Sequence, residues 1–227
     1  MTQFKKITDD VHNELIEIFD NNLSKFDDHV WNTRAPMLKE LYNINDEKHI
    51  QTLRMEIKDP SIRAKINSIV NLFDGLDDAH GGFMNFCRGY LPIAMHTDVC
   101  VNPDETVEDG YTIMIPLTVD KRIQTIVWQE RMGYPVFDEW ADTIHWNNRV
   151  KLNNLSEKYN LSNGHWPKPD IVDYMALDDV CQWSKGNAWC FKRSQIHCST
   201  NFKASGIEYK DYILIQTTNG LYTPEHG

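Results

Sequence analysis

Apolar residues recur at helical spacing in the first third of the chain, then alternate or run on as strands in the rest. Val11, Leu15, Ile18, Phe19, Leu23 and Phe26 predict an amphipathic helix over 9–26, capped by Thr8 or Asp9 with acids in its first turn. A weaker spacing through Ile50, Leu53 and Ile57 predicts a second helix over 46–58, while Pro36 disfavours helix at Ala35. Ile62, Ile66, Ile69, Val70, Phe73 and Leu76 predict a third, starting at Pro60 and ending near Gly75. Such one-sided helices are expected to brace the outside of a sheet.

The strands of that sheet are predicted at 83–90, with a kink at Gly89, and at 111–119, 123–129, 187–192, 195–200 and 209–217. Asp120-Lys121-Arg122 would join the second and third as a hairpin. Between about 130 and 180 the alternation lapses and turn residues take over, as in Gly133-Tyr134-Pro135 and Asn163-Gly164-His165, with a short helix possible over 150–161. So long a stretch exceeds a plain loop. It reads as an insertion that caps the strand core, covers a substrate or supports a second copy of the chain. His145 and His165 lie in it without a carboxylate at strand spacing, and read as surface or hydrogen-bonding histidines.

Length and composition refine this picture. At 227 residues the chain fits one domain, with 1–82 as mainly helical support and 83–218 as the strand core carrying the insertion. The formal charge of −10 argues against a nucleic-acid surface. Lys185, Lys192, Arg193, Lys203 and Lys210 nevertheless gather positive charge near the last strands, which suits an anionic small molecule. Five cysteines without a C-x-x-C pair, an export signal or an apolar run of the roughly 20 residues needed to span a bilayer predict reduced thiols in a cytoplasmic, non-membrane protein.

Chemistry enters at His96-Thr97-Asp98. In an extended segment residues two apart share a face, so His96 and Asp98 could grip one metal ion from one side. His197, following the apolar run Ala188-Trp189-Cys190-Phe191, supplies a second imidazole from a neighbouring strand. Two histidines and one carboxylate form a face that suits Fe(II) and leaves other coordination positions open.

The order of these segments, from Arg88-Gly89-Tyr90-Leu91-Pro92 through His96 and Asp98 to His197 and Lys210, resembles the Fe(II)/2-oxoglutarate-dependent oxygenases over about residues 85–218. The resemblance implies a mainly β fold with flanking helices, built on a double-stranded β-helix (jelly-roll) core. It also implies Fe(II) on His96, Asp98 and His197, with O2 and 2-oxoglutarate converted to succinate and CO2 as a small-molecule or amino-acid-type substrate is oxidised. Relatives that halogenate lack the carboxylate, so Asp98 implies hydroxylation, desaturation or cyclisation instead.

A basic residue after the second histidine is expected to hold the far carboxylate of 2-oxoglutarate. The common position falls here on Ile207, which leaves Lys210 first, Lys203 second and Arg193 third, with Tyr90 or Thr112 as hydroxyl partners. Arg88, Trp128 and Trp189 are candidates for substrate contact. Two other readings use the same ligands: a non-catalytic metal-binding sensor or interaction module, and a Zn²⁺ hydrolase.

Overall fold

The computed structural model describes residues 1–29, 52–76, 82–93, 95–102, 104–133, 150–159, 161 and 169–217. Its first strands are β1 (Gln3–Lys6), β2 (Asp27–His29), β3 (Thr52–Glu56), β4 (Phe83–Gly89), β5 (Cys100–Val101) and β6 (Val107–Glu108). There follow β7 (Tyr111–Pro116), β8 (Gln124–Arg131), β9 (Leu177–Gln182), β10 (Asn187–Lys192), β11 (Gln195–Ser199) and β12 (Lys210–Gln216). Among the described residues the α-helices are α1 (Asp9–Asn22), α2 (Pro60–Val70) and α3 (Leu155–Lys158).

These strands make a seven-stranded sheet in the order β1-β10-β7-β12-β4-β3-β2, a three-stranded sheet β11-β8-β9 and a small pair β5-β6. Alternation along β12 explains how the layers stack. Ile213 and Ile215 face a core shared with Leu15 and Phe19 of α1 and Ile66, Ile69 and Val70 of α2. Tyr212 and Leu214 point the other way, into a core with Val127 and Cys181 of the small sheet. A third core covers the far side of the small sheet, where Trp128 and Ile196 meet Leu155, Ile171 and Met175. Each fully buried side chain of this size stabilises the fold by about 2 kcal/mol.

The helix signals act as read. The Thr8 hydroxyl accepts from the Val11 backbone N–H, and the Asp59 carboxylate accepts from Ser61 and Ile62 ahead of α2. Phe19 meets Phe86 of β4 edge-on at 5.6 Å, which locks α1 to the sheet.

Four expectations need correction. The stretch 46–58 is not helical where it is described: residues 52–56 form β3, because pairing with β4 (Arg54 opposite Cys87, Met55 opposite Phe86) outweighs a weak helical spacing. The described part of residues 1–82 therefore holds three strands as well as two α-helices. The hairpin of 111–119 with 123–129 does not form. β7 pairs with β10 and β12 in the large sheet and β8 with β11 and β9 in the small one, so the turn at Asp120 crosses between layers. The stretch 130–180 is also shorter as an insertion, since β8 runs to Arg131 and β9 already begins at Leu177 as a strand of the small sheet. His145 and His165 fall outside the described residues. Among the described residues no helix is long and apolar enough to cross a membrane, and all five cysteines are free thiols.

One buried group makes this packing sensitive to acid. His12 of α1 is fully buried, with Nε2 2.8 Å from the Pro116 carbonyl oxygen. Burial, reinforced by Lys185 and Lys6 against the Pro116 hydrogen bond, lowers its pKa below the ordinary histidine value. The unfolded chain then binds the extra proton first, so stability is full above about pH 6.5 and lost as pH falls below it. His12→Gln should flatten the dependence of Tm on pH below about pH 6.5. A slope unchanged in calorimetric scans would remove His12 from this role.

Candidate metal centre

His96 and His197 are brought together by one antiparallel bridge. The His96 N–H donates to the His197 carbonyl at 3.1 Å and the His197 N–H donates back at 3.0 Å, with the rings 4.2 Å apart between centroids. Asp98 is strapped in place two residues on. Its N–H donates to the Arg193 carbonyl at 2.8 Å, and Arg193 Nε donates to the Asp98 carbonyl at 2.8 Å. The Arg193 N–H in turn donates to the Gly110 carbonyl at 3.0 Å. Only glycine fits there: a Cβ at position 110 would stand 2.1 Å from the Thr217 carbonyl oxygen.

The three side chains converge. Asp98 Oδ1 is 3.6 Å from His96 Nε2 and Oδ2 is 3.4 Å from His197 Nε2, and one ligand atom from each residue lies within 4.8 Å of the other two. His197 Nδ1 stands 2.9 Å from the Gln195 carbonyl oxygen. A carbonyl only accepts, so Nδ1 carries a proton, and Nε2, the nitrogen aimed at Asp98, is the one available to an ion. The Thr112 hydroxyl donates to Asp98 Oδ2 at 2.6 Å. Burial opposes ionisation of Asp98, but the His197 charge and hydrogen bond, with help from His96 and Thr112, hold its carboxyl well below the usual carboxylate range. The donor set, two imidazoles and an ionised carboxylate on one side, fits a divalent transition metal. Thr112→Val should lower Mn(II) affinity by about 10–100-fold while leaving the circular dichroism spectrum unchanged; undiminished affinity in a calorimetric titration would contradict the role given to Thr112.

Beside the triad opens a pocket of about 460 Å³, part of it open to solvent. Met114, Phe191 and Leu214 give it apolar walls, and Lys210, Ser199 and Tyr212 line it as buried polar groups. Lys210 is 2% exposed, its Nζ hydrogen-bonded to Ser199 Oγ and 4.7 Å from the Trp183 ring centroid. Burial, only partly offset by Cys198 and Cys87, pushes its pKa down to about 7. An anion reaching that amine would be met by a charge it restores.

The structure sorts the remaining candidates. Thr112 and Lys210 line the pocket with the triad, while Lys203, Arg193, Tyr90, Arg88, Trp128 and Trp189 do not. Lys203 bonds the Glu208 carbonyl at 2.5 Å in an exposed turn. Arg193 is spent on the backbone of Asp98. Arg88 alternates with Cys87 onto the helix side of the large sheet, where it makes a two-pronged ion pair with Asp211 at 2.7 Å and sits over the Tyr209 ring near Tyr90. Trp128 is in the core behind the small sheet, and Trp189 packs on Phe4 and donates to the Gln182 carbonyl. Sequence reading missed Arg54, Ser199, Tyr212, Met114, Phe191 and Leu214 on the pocket wall. Alternation along β12 from Lys210 would have found Tyr212 and Leu214; Arg54 was hidden by the helical reading of its segment.

No protein-family model matches the sequence, and no curated protein matches it. Solved structures do resemble it. The non-heme alpha ketoglutarate dependent carbocyclase SnoK from nogalamycin biosynthesis superposes with a TM-score of 0.55 at 13% identity, over 97% of this chain and 80% of that one. The non-heme alpha ketoglutarate dependent epimerase SnoN from the same biosynthesis gives 0.51 at 10% identity, over 96% and 77%. SnoN in complex with Fe3+, alpha ketoglutarate and nogalamycin RO gives 0.50 at 9% identity, over 98% and 81%. The two-sheet topology and these superpositions agree: the chain has the jelly-roll fold of the non-heme alpha ketoglutarate-dependent enzymes.

Proposed function

We propose that this chain is a 2-oxoglutarate-dependent oxygenase that binds Fe(II) through His96, Asp98 and His197 and oxidises a small molecule, hydroxylation being the simplest outcome. The single observation that carries this reading is the convergence of three side chains with metal-binding donor atoms and one buried amine, Lys210, around the same pocket. The triad would take the keto-acid end of 2-oxoglutarate, and the lysine would suit its far carboxylate. SnoN, with the same fold, is complexed with Fe3+ and alpha ketoglutarate, which supports the same pair here.

Iron bound at the triad would supply the redox chemistry by which O2 converts 2-oxoglutarate to succinate and CO2 and oxidises the substrate. The chain's own residues do the rest. The Gln195 carbonyl fixes the His197 tautomer, and Thr112 fixes the Asp98 carboxylate so that Oδ1 keeps its lone pairs for the ion. Lys210, with the Ser199 hydroxyl beside it, would orient the co-substrate by charge and hydrogen bond, as a point charge where an arginine would grip in two places. Met114, Phe191 and Leu214 keep the walls apolar, which strengthens each of those polar contacts.

Succinate release from 2-oxoglutarate, measured with Fe(II) and ascorbate across a panel of small metabolites, tests the reading. It predicts release above the metal-free background for at least one compound. No release with any compound, together with no 2-oxoglutarate binding by calorimetry, would overturn it.

A further inference from the structure

The pocket has a buried part and a mouth. Lys210, Ser199, Tyr212, Thr112 and Phe191 are buried, whereas the partly exposed residues that line it are Ile93, Arg54 and the two ligands His96 and Asp98. A substrate arriving from solvent meets this second group.

Arg54 sits on β3, a strand added to the large sheet beyond β4. Its register opposes Cys87, which opposes Tyr212 of β12, so the three side chains share the inner face. Lys210 belongs to β12, two strands from β3, a separation of about 10 Å across the sheet. One carboxylate buried at Lys210 and another group at Arg54 can therefore be held at once.

Charge points the same way. With the metal assigned to the triad and the far carboxylate of 2-oxoglutarate to Lys210, Arg54 is the basic lining residue to which the oxygenase reading gives no role. Arg54 makes contacts of its own, but a guanidinium with five N–H donors can keep one partner and present its other edge to the pocket. It is the basic side chain at the mouth among the described lining residues, which fits a single negative charge and a planar carboxylate better than a phosphate.

Resting on the oxygenase reading, we propose that Arg54 binds a carboxylate of the substrate, so that the substrates of this chain are small monocarboxylic acids.

The test uses the full chain with Fe(II), 2-oxoglutarate and ascorbate, and a panel of α-amino acids and other small monocarboxylates, each paired with its primary amide. At least one acid should raise succinate release where its amide does not. Arg54→Gln should raise the KM for that acid by about tenfold or more, the worth of a charge-assisted hydrogen bond, while the KM for 2-oxoglutarate shifts far less. Arg54→Lys, which keeps the charge, should recover part of the loss and serves also if the glutamine variant folds poorly. Amides as active as acids, or no active acid, would overturn the proposal. So would an Arg54→Gln or Arg54→Lys variant whose defect falls on 2-oxoglutarate as heavily as that of a Lys210 variant. A wild-type chain that binds Mn(II) and 2-oxoglutarate but shows no preference for acids sinks this inference alone; one that binds neither sinks the oxygenase reading with it.

Discussion

Asp98→Ala should abolish 2-oxoglutarate turnover and weaken Mn(II) binding by about a hundredfold or more. The lower bound follows from the cost of losing a residue that merely supports a ligand, about 10–100-fold. Losing the ligand itself removes the one anionic donor of the three, and two neutral imidazoles alone hold a divalent ion poorly. The substitution also deprives the Thr112 hydroxyl of its acceptor and frees both imidazoles from the carboxylate between them. The fold should survive, because the backbone contacts of residue 98 with Arg193 do not involve the carboxylate. His197→Ala should lose metal to a similar degree. Calorimetric titration with Mn(II), with circular dichroism as the control for folding, checks both, and retained affinity in either variant would show that the ion sits elsewhere.

Lys210→Met should separate co-substrate binding from metal binding. Removing a charge-assisted hydrogen bond to a carboxylate costs about 1.5–3 kcal/mol, or roughly 10–100-fold in 2-oxoglutarate affinity, with Mn(II) affinity unchanged. The same substitution should raise Tm, because it replaces a buried amine by an apolar side chain of similar length among Trp183, Phe202 and Tyr212. The sign of the pH dependence agrees. In the folded chain Lys210 gives up its proton near pH 7, whereas the unfolded chain keeps it to about 10.4. The unfolded state therefore binds more protons across that window, and stability rises with pH there. Binding runs the other way. A carboxylate favours the protonated amine, so 2-oxoglutarate affinity should fall as pH rises through about 7, and the slope should vanish in Lys210→Met. A loss of stability with no change in 2-oxoglutarate affinity would make Lys210 a structural residue.

Much of the centre was legible because the chemistry is local in sequence. His96 and Asp98 lie two residues apart and are bound to share a side in extended chain, and His197 is the middle residue of β11, whose polar and apolar residues alternate. Lys210 begins β12, and its inward direction follows from the parity that puts Ile213 and Ile215 against the helices. Residues whose role depends on pairing between distant segments were harder. The pairing of Arg88 with Asp211 and its place on the helix side emerge only from the β4–β12 register. Arg54 required β3 to be a strand at all, and a five-residue strand carrying Thr, Arg and Glu looks no more like a strand than a helix until β4 is beside it. The crossing at Asp120 misled for a related reason. A tight turn between two apolar strands predicts a hairpin from local rules, and only the packing of two layers decides that the second strand joins the other sheet.

The most direct measurement is a crystal structure of the chain with Mn(II) and 2-oxoglutarate. The predicted result is one ion held by His96 Nε2, Asp98 and His197 Nε2, with the far carboxylate of 2-oxoglutarate at the Lys210 amine. An ion held by other residues, or 2-oxoglutarate lying away from Lys210, would contradict the account.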